Sequence, residues 1–538
     1  MAAGKKVFSL NTMNLDPAFV RQMRRLLPAE SAAFMRSLEE DIPVSLRLNT
    51  AKCSGEKTLN CLPAKVQSAV PWCPDAYYLE QRPSFTFDPF FHCGLYYVQE
   101  ASSMFTARAI HAALQAMKMS GRAVRMLDLC AAPGGKSTLA ASVLPEGSLL
   151  LANEIVPSRA VILEENLVKW GKAEVVVTKN EPADFAEFEH AFDLILADMP
   201  CSGEGMFRKE PEALAAWSED NVLGCALRQR NILAQCWNSL RPGGCLIYST
   251  CTYNTEENEK NLLWAAENLG ARVLPVECNP DWSIHPAIGA DIPAYRFFPH
   301  RTRGEGFFLA LLQKEESLAA NSGTGAAYSR TDAVNSRTGL ADSQILAGNL
   351  QTGLKSYPQA DFHELFKPKK GKKKLPSWKK SGKFVNEVVD KKKLTYLNSL
   401  FDEPEAYEIS LLPWGVYRAF PSQHAAFLAR ISHSLRIVRA GLYLGEYKGN
   451  QFIPDVSLAL STAVEAGKHF PSYELHRQQA LAYLKRESLQ LSEDCPQGQV
   501  LVTYGRVGLG WVNNLGIRAN NRYPASWKIR SQLPVNQF

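Results

Sequence analysis

The stretch RMLDLCAAPGGKST, from Arg125 to Thr138, constrains the fold of this chain more than any other. Its apolar start predicts a buried strand, and helix-forming residues resume at Lys136. Cys130 leads into a turn of small residues, which are Ala131, Ala132, Pro133, Gly134 and Gly135. Glycine lets a backbone approach a ligand closely, and the free N–H groups at a helix start point towards that ligand. The stretch therefore predicts a binding loop for a nucleotide-type ligand.

Strand and helix patterns alternate regularly after residue 106. The predicted strands are Val124–Leu129, Ser148–Asn153, Glu174–Thr178, Phe192–Ala197 and Cys245–Ser249, with a last strand in Gly304–Lys314. Helices are predicted at Val156–Trp170 and Glu219–Leu240. This alternation indicates an α/β fold with a doubly wound, mostly parallel sheet, in which ligands bind beyond the carboxyl ends of the strands.

A chain of 538 residues is too long for one compact core, so we expect several domains. Composition and periodicity predict four segments: a small mixed α/β domain at 1–105, the alternating domain at 106–314, a flexible linker at 315–393 and a separate β-rich C-terminal module at 394–538. Within the first domain we predict one helix over Pro17–Leu38 and an exposed edge strand at Pro43–Thr50.

Positive charge is concentrated in one part of the chain. Residues 361–400 hold twelve lysines and four acidic residues, although the whole chain carries a net charge of only +6. The densest run is KPKKGKKKLPSWKK, from Lys367 to Lys380. Two interpretations remain open for this run: a binding segment for a polyanion such as RNA, or a solvated linker that is rich in lysine.

The twelve cysteines are spread along the chain and include no CxxC pair, so we expect free thiols and no metal site. The start of the chain lacks the apolar run of a signal peptide, and no stretch is long enough to span a bilayer. We therefore expect a cytoplasmic protein that has no membrane partner.

Two interpretations compete for the glycine turn. The end Gly135-Lys136-Ser137 is similar to that of a phosphate loop, but such a loop needs glycine where this chain has Cys130, which weakens the interpretation as an NTPase. The alternative is a loop that binds adenosine. Glu154 lies twenty residues beyond Gly134, the spacing expected for an acid that holds ribose hydroxyls.

Two further predicted strands end in reactive residues. Phe192–Ala197 leads into ADMPCSGEG, with Asp198 and Cys201, and Cys245–Ser249 leads into STCTYN, with Cys251. Because adjacent parallel strands end at the same edge of a sheet, we expect these side chains in one cleft. A thiol at a strand-end turn is exposed enough to act as a nucleophile, although either cysteine alone is more often a core residue.

A thiol, an acid and an adenosine site together suit methylation of a pyrimidine. Carbon 5 of the ring is too weak a nucleophile to attack a methyl sulfonium directly. A thiolate that adds to carbon 6 makes carbon 5 reactive, and an acid near N3 stabilises the charge that develops on the ring. The residues by themselves do not rank Cys201 and Cys251 for this role.

The motifs DLCAAPGGKST, ADMPCSGEG and YSTCTYN, in this order, resemble those of the Nol1/Nop2/Sun family of RNA cytosine-5 methyltransferases. The layout of the chain is most similar to the bacterial branch that acts on 16S ribosomal RNA. Gly505–Pro524 resembles the PUA-like portion of that branch. The resemblance implies a Rossmann-like core that uses S-adenosyl-L-methionine, an N-terminal domain of RNA-binding type and a PUA-like C-terminal region. It also implies ribosomal RNA or the small ribosomal subunit as partner, and we expect a monomer.

The resemblance also implies roles for single residues. Cys251 is the nucleophile that bonds to carbon 6, and Cys201 assists product release. Asp198 lies beside the methyl donor and the base, and Lys136 also contacts the base. The segment from Cys130 to Lys136 lines the cofactor loop, and Glu154 holds the ribose.

One position departs from the family pattern. The family places an aspartate after the third strand to contact adenosine, whereas this chain has Lys179, Asn180 and Glu181, with Asp184 slightly later. Glu181 is the best positional match, and Asn180 and Asp184 remain alternatives. Two other functions also stay open: a non-catalytic RNA-binding factor in ribosome assembly, and methylation of a different RNA such as tRNA.

Overall fold

A computed structural model describes residues 14–53, 56–315, 390–516 and 518–531. The lysine run Lys367–Lys380 and nearly all of the predicted linker lie outside the described residues. In the part of the chain that the structure describes, no helix is long and apolar enough to cross a membrane.

The chain begins with two short helices, α1 (Pro17–Leu26) and α2 (Ser31–Ser37). The prediction of a single helix over Pro17–Leu38 is therefore wrong. Pro28 explains the break, because proline disfavours a helical backbone at the residue before it, and Leu27 has φ −126° and ψ 65°.

An antiparallel sheet follows, in the order β2-β3-β1-β4. Its strands are β1 (Val44–Leu48), β2 (Val66–Ala69), β3 (Ala76–Leu79) and β4 (Tyr96–Val98), with the short helix α3 at Pro89–His92. The prediction of an exposed edge strand at Pro43–Thr50 is wrong. Strand β1 pairs on both sides and all five of its residues are buried, because alternating polar residues can also face a neighbouring domain.

The central domain contains the predicted α/β alternation. Its strands are β5 (Arg125–Asp128), β6 (Leu149–Asn153), β7 (Val175–Thr178), β8 (Phe192–Asp198), β9 (Leu240–Thr250), β10 (Ala271–Leu274), β11 (Ala294–Phe297) and β12 (Phe307–Lys314). Its helices are α4 (Thr106–Ala116), α5 (Gly135–Val143), α6 (Pro157–Trp170), α7 (Pro211–Ala216), α8 (Glu219–Trp237) and α9 (Glu259–Leu269). The predicted α/β class with a Rossmann-like core is thus confirmed.

The strand order of this sheet positions the glycine turn. The order runs β10-β12-β9-β8-β5-β6-β7, and the five strands from β9 to β7 are parallel. Strand β5 has β6 on one side and β8 on the other, so the chain order reverses at β5. Ligands of open α/β sheets bind in the crevice at such a switch point. The turn after β5 lies at that place.

The C-terminal region forms two further four-stranded sheets, β13-β14-β16-β17 and β18-β19-β20-β21. Its strands are β13 (Tyr407–Leu411), β14 (Val416–Pro421), β15 (Ile437–Ala440), β16 (Leu442–Lys448), β17 (Gln451–Pro454), β18 (Ser472–Glu474), β19 (Gly498–Tyr504), β20 (Val507–Asn514) and β21 (Ala519–Asn521). Its helices are α10 (Lys391–Asn398), α11 (Ala425–Ile431), α12 (Val456–Leu460), α13 (Ala466–His469) and α14 (Arg477–Leu484).

Strand β15 joins the C-terminal region to the central sheet. It pairs antiparallel with β7 and covers the edge that β7 would otherwise expose. Helix α11 packs on the same core through Phe427, Leu428 and Ile431. The prediction of a separate C-terminal module is wrong for this segment. Four residues of strand carry too little pattern in the sequence to reveal which sheet they join.

We expect Phe427→Ala to lower the thermal midpoint of the whole central domain. Phe427 is 7 % exposed, and truncation of a buried phenylalanine costs about 3–5 kcal/mol of unfolding free energy. Calorimetry of Leu227→Ala, at a surface leucine that is 55 % exposed, provides the control. A separate low-temperature transition that moves alone in Phe427→Ala would show that the two regions unfold independently.

Candidate active site

The turn after β5 needs glycine at its end. Gly134 precedes helix α5 with φ +114°, a conformation that residues with a side chain rarely adopt. A Cβ atom there would lie 3.4 Å from side-chain atoms of both Leu163 and Asn166 on α6. Gly134 therefore allows α5 to start close to α6 with its first N–H groups pointing out of the turn.

Strand β6 and helix α6 hold the turn from outside. The N–H of Ala131 donates to the carbonyl of Asn153 at 2.8 Å. Arg159 Nη2 donates to the carbonyl of Ala132 at 2.8 Å, and Asn166 Nδ2 donates to that of Pro133 at 2.8 Å. Three consecutive residues of the turn are thus fixed by partners outside it.

Arg47, from the N-terminal sheet, supports the first turn of α5. Its Nη2 donates to Thr138 Oγ1 at 2.8 Å, and its guanidinium lies 4.5 Å from the ring centre of Trp170. Burial lowers the pKa of Arg47 to about 10, so the group stays charged at neutral pH. The first domain therefore braces the helix that begins at the glycine turn.

Glu154 lies at the carboxyl end of β6, next to the turn, and is only 2 % exposed. Its Oε1 accepts the N–H of Val156 at 2.8 Å, and its Oε2 lies 3.4 Å from Arg159 Nη1. A carboxylate has about four acceptor sites, so both oxygens of Glu154 can still accept hydrogen bonds from hydroxyl groups.

The three candidates after β7 have different surroundings. Asn180 is buried, and its Oδ1 accepts the N–H of Arg436, directly before β15. Glu181 is exposed and caps a short 3₁₀ turn, in which its own N–H donates to Asp184 Oδ2 at 3.0 Å. The amide of Asn180 therefore connects the core to the C-terminal region, whereas the carboxylate of Glu181 is open to solvent.

Asp128 lies beneath the turn at the end of β5 and is fully buried. Its Oδ2 accepts a hydrogen bond from Ser137 Oγ at 2.6 Å, but its Oδ1 has no partner among the described residues. Burial raises the pKa of Asp128 to about 7, against the lowering effect of the Ser137 hydrogen bond. Asp128 is a titratable group at the base of the crevice that was not predicted as a site residue from the sequence.

Asp198 and Lys136 form an ion pair across the crevice. Lys136 Nζ donates to Asp198 Oδ2 at 2.8 Å, and Ser249 Oγ donates to Asp198 Oδ1 at 2.7 Å. Burial lowers the pKa of Lys136, but the charge and hydrogen bond of Asp198 outweigh it and the pKa is raised. Lys136 therefore stays protonated and directs its charge at Asp198.

The two cysteines predicted for one cleft have their sulfur atoms 3.2 Å apart. Cys201 lies in the loop after β8 and Cys251 in the loop after β9, and these strands pair in parallel with Asp198 opposite Ser249. The hydrogen bond with Cys251, and then burial, raises the pKa of the Cys201 thiol well above its usual value. The two thiols therefore lie side by side at the carboxyl ends of β8 and β9.

Two buried glutamates hold the cysteine loops together. Glu204, in the Cys201 loop, accepts the N–H groups of Tyr253 at 2.7 Å and Asn254 at 2.9 Å, in the Cys251 loop. Glu257, in the Cys251 loop, accepts the N–H of Ser202 at 3.0 Å, in the Cys201 loop. Each carboxylate thus satisfies backbone donors of the opposite loop. We call Glu204 and Glu257 the carboxylate pair.

Other side chains complete the shell around the carboxylate pair. Asn254 Nδ2 donates to Glu257 Oε1 at 2.8 Å, and Gln229 Nε2 donates to Glu257 Oε2 at 2.7 Å. Trp217 Nε1 donates to Glu204 Oε1 at 3.0 Å. Neither glutamate was predicted as a site residue, because each stands among other charged residues in the sequence, such as Lys209 after Glu204 and Glu256 before Glu257.

The structure brings most of the predicted site residues to one edge of the sheet. The turn from Cys130 to Lys136 lies at the switch point. Asp198 ends the neighbouring strand β8, Cys201 follows it, and Cys251 follows β9, which is the next strand in the sheet. Among the described residues, no group of three or more His, Cys, Asp or Glu side chains could hold a metal ion.

Glu257→Gln should change how stability depends on pH. Burial raises the pKa of Glu257 to about 7, above its ordinary value of 4.5. Between these pH values the unfolded chain releases the proton but the folded chain keeps it, so the wild type loses stability as pH rises. The loss is on the order of 3 kcal/mol. We expect the thermal midpoint of the wild type, minus that of Glu257→Gln, to fall between pH 5 and 8.

Glu256→Gln is the matched control, because Glu256 is the neighbouring carboxylate and pairs with Lys260 at the surface. Its difference from the wild type should stay constant over the same range. A constant difference for Glu257→Gln as well would contradict a raised pKa at Glu257.

Four family models match the chain in succession. They describe the N-terminal domain of 16S rRNA methyltransferase RsmF at residues 15–101, the 16S rRNA methyltransferase RsmB/F at 116–313, the first C-terminal domain of the RsmF rRNA methyltransferase at 429–461 and the methyltransferase RsmF PUA domain at 470–529. The matched segments follow the order of the domains in the structure.

Full-length relatives agree with these models. Ribosomal RNA small subunit methyltransferase F of Salmonella paratyphi B is 29% identical over 521 residues, which cover 94% of this chain and 95% of the relative. The protein of the same name from Salmonella agona is 29% identical over 523 residues, with the same coverage of both chains.

Solved structures are similar over part of the chain. A methyltransferase homologue from Pyrococcus horikoshii is 27% identical with a TM-score of 0.48, and covers 56% of this chain and 96% of its own. NSun6 from Pyrococcus horikoshii, solved with SFG, is 21% identical with a TM-score of 0.48, and covers 56% and 99%. The family models and the full-length relatives therefore place this chain in the RsmB/F family of methyltransferases.

Proposed function

We propose that this protein methylates carbon 5 of a cytosine in 16S ribosomal RNA, with S-adenosyl-L-methionine as methyl donor. The observation that carries the proposal is the position of two thiols, 3.2 Å apart, beside the ion pair of Asp198 and Lys136. The names of the family models and full-length relatives support the substrate, since both refer to 16S or small-subunit rRNA.

The crevice at the switch point suits S-adenosyl-L-methionine. The glycine turn before α5 lets a ligand approach the backbone of residues 130–136, and Glu154 offers a buried carboxylate for ribose hydroxyls. We propose Glu181 as the further contact to adenosine, because its carboxylate is exposed whereas Asn180 is engaged by Arg436. When bound, the cofactor supplies an electrophilic methyl group on a sulfonium.

Cys251 acts on the base as the nucleophile. Its thiolate forms a bond to carbon 6, and the double bond between carbons 5 and 6 opens. The electron pair of that double bond makes carbon 5 able to accept the methyl group. Asp198 and Lys136 stand at the ring as a hydrogen-bonded pair and stabilise the charge that develops there. A base then takes the proton from carbon 5, and the electron pair of that C–H bond restores the double bond between carbons 5 and 6. The thiolate of Cys251 leaves carbon 6 as this double bond forms, and Cys201 assists the release.

A non-catalytic assembly factor is the less favoured function. Such a protein would need the RNA-binding regions but would not need two adjacent thiols and a buried carboxylate pair to hold their loops. The interpretation as an NTPase is also less favoured, because Lys136 is bound to Asp198 instead of facing a phosphate site. We further propose that the enzyme works as a cytoplasmic monomer, with the small ribosomal subunit or its RNA as partner.

Gly134→Ala should weaken cofactor binding. Alanine at φ +114° strains the backbone, and its methyl group contacts α6, so the first N–H groups of α5 shift away from the ligand. We expect a fall of about tenfold or more in affinity for S-adenosyl-L-methionine by calorimetric titration. Gly224→Ala is the control, because a Cβ atom at Gly224 meets nothing within 4 Å. Equal affinities for both variants would place the cofactor elsewhere.

Substitution of each cysteine should give a different defect. Cys251→Ala removes the nucleophile and should abolish transfer of labelled methyl groups to unmodified 16S rRNA. Cys201→Ala should let the bond to carbon 6 form but slow its cleavage, so that a protein–RNA adduct accumulates on denaturing gels.

Cys225→Ala is the matched control, since Cys225 is a buried cysteine in helix α8. It should form no adduct and should retain methyl transfer. If Cys251→Ala formed the protein–RNA adduct and Cys201→Ala lacked methyl transfer, Cys201 would be the nucleophile and Cys251 would assist release. RNA binding without methyl transfer by the wild type would favour the assembly factor, and transfer only to tRNA would change the substrate.

A further inference from the structure

A groove of about 420 Å³ lies between the N-terminal domain and helix α6. Its lining comes from the segment before α3, from Phe91 on α3, from strand β4 and from Asn166 on α6. This groove lies outside the crevice that holds the two cysteines. The proposed chemistry does not use it.

The lining combines aromatic faces with polar groups. Phe91 and Tyr97 are partly exposed in the groove, and the exposed Arg82 stands beside Ser84 at its rim. The amide of Asn166 adds a polar group on the opposite wall. Aromatic faces bind nucleobases by stacking, and arginine and amide groups bind phosphates and base edges. The volume is within the range of pockets that hold small organic ligands.

One end of the groove reaches the glycine turn. Asn166 donates to the carbonyl of Pro133 at 2.8 Å, and a Cβ atom on Gly135 would lie 3.4 Å from Tyr97 Cε1. A ligand in the groove is therefore a neighbour of the turn that the proposed cofactor occupies.

The other end leads to the PUA domain. Lys169 Nζ lies 5.5 Å from the ring centre of Phe91 and 5.4 Å from that of Trp527, which belongs to the matched PUA segment. Lys528, next to Trp527 in the chain, and Arg530, directly after the matched segment, are exposed cations. The groove thus lies between the turn at the cofactor site and a basic part of the PUA domain.

We propose that this groove binds one unpaired nucleotide of the RNA substrate, near the target cytosine in the same strand. The inference rests on the proposed function for the identity of the RNA. The base stacks on Tyr97 or Phe91, the amide of Asn166 faces its polar edge, and Arg82 binds the adjoining phosphate. Recognition of a single-stranded nucleotide in this groove would select the sequence around the target.

A protein ligand suits the groove less well. The exposed lining residues are Arg82 and Thr86, and Ser84 between them is half-buried. Their guanidinium and hydroxyl groups match a phosphate better than an apolar peptide. Its ends also meet two parts of the molecule that already concern RNA, the proposed catalytic crevice and the PUA domain.

Full-length protein with unmodified 16S rRNA provides the test. We expect ultraviolet cross-linking, followed by mass spectrometry, to give nucleotide adducts on Tyr97 or Phe91. Arg82→Ala and Tyr97→Leu should each weaken RNA binding roughly tenfold, and Tyr97→Phe should weaken it less because the ring is kept. Arg122→Ala, an exposed arginine at the amino end of β5, is the control and should bind RNA as the wild type does.

The outcomes separate this inference from the proposed function. Normal methyl transfer with no adduct in residues 82–98, and unchanged RNA affinity in Arg82→Ala and Tyr97→Leu, would overturn the groove but not the function. Adducts at Tyr97 together with weaker binding, in a protein that transfers no methyl group, would support the groove and remove the proposed chemistry. Equal losses in Arg82→Ala and Arg122→Ala would show a general charge effect and overturn the inference.

Discussion

The geometry of the two thiols depends on the reciprocal hydrogen bonds of the carboxylate pair. Glu204 and Glu257 each leave one cysteine loop and accept backbone N–H groups of the other. A buried carboxyl group without hydrogen-bond donors carries a large desolvation cost, so neither loop can move alone without leaving buried polar groups unsatisfied. The backbones of both loops therefore fix the 3.2 Å separation between the sulfur atoms of Cys201 and Cys251.

The N-terminal domain and the C-terminal region both contact the elements that form the crevice. Arg47 of the N-terminal sheet bonds to helix α5 at Thr138, and Gln22 of helix α1 donates to Glu204 at 2.8 Å. Strand β15 pairs with β7, and Arg436 before it bonds to Asn180 at the end of β7. The N-terminal domain and the C-terminal region are thus in direct contact with the strands, helix and loop that line the crevice.

Local signals predicted much of the central domain and less of its surroundings. Apolar runs bounded by turns revealed β5 to β9 within a few residues, because buried parallel strands consist of continuous apolar residues. Burial made the prediction for β1 wrong, because its Arg47 faces the central domain: the guanidinium contacts Thr138 and Trp170 instead of solvent. Glu204 and Glu257 were missed for a similar reason, since a glutamate that is buried cannot be told from a surface one without its partners.

The sequence by itself determined the α/β class, the small-residue turn at Gly134, and the position of Asp198, Cys201 and Cys251 just after strands, because periodicity and turn chemistry are local properties of a chain. Only the tertiary structure decided that β8 and β9 lie side by side next to β5. Strand order results from pairings between residues that are distant in the chain. This order brings Lys136 to Asp198, and it brings together the sulfur atoms of Cys201 and Cys251, which lie fifty residues apart in the chain.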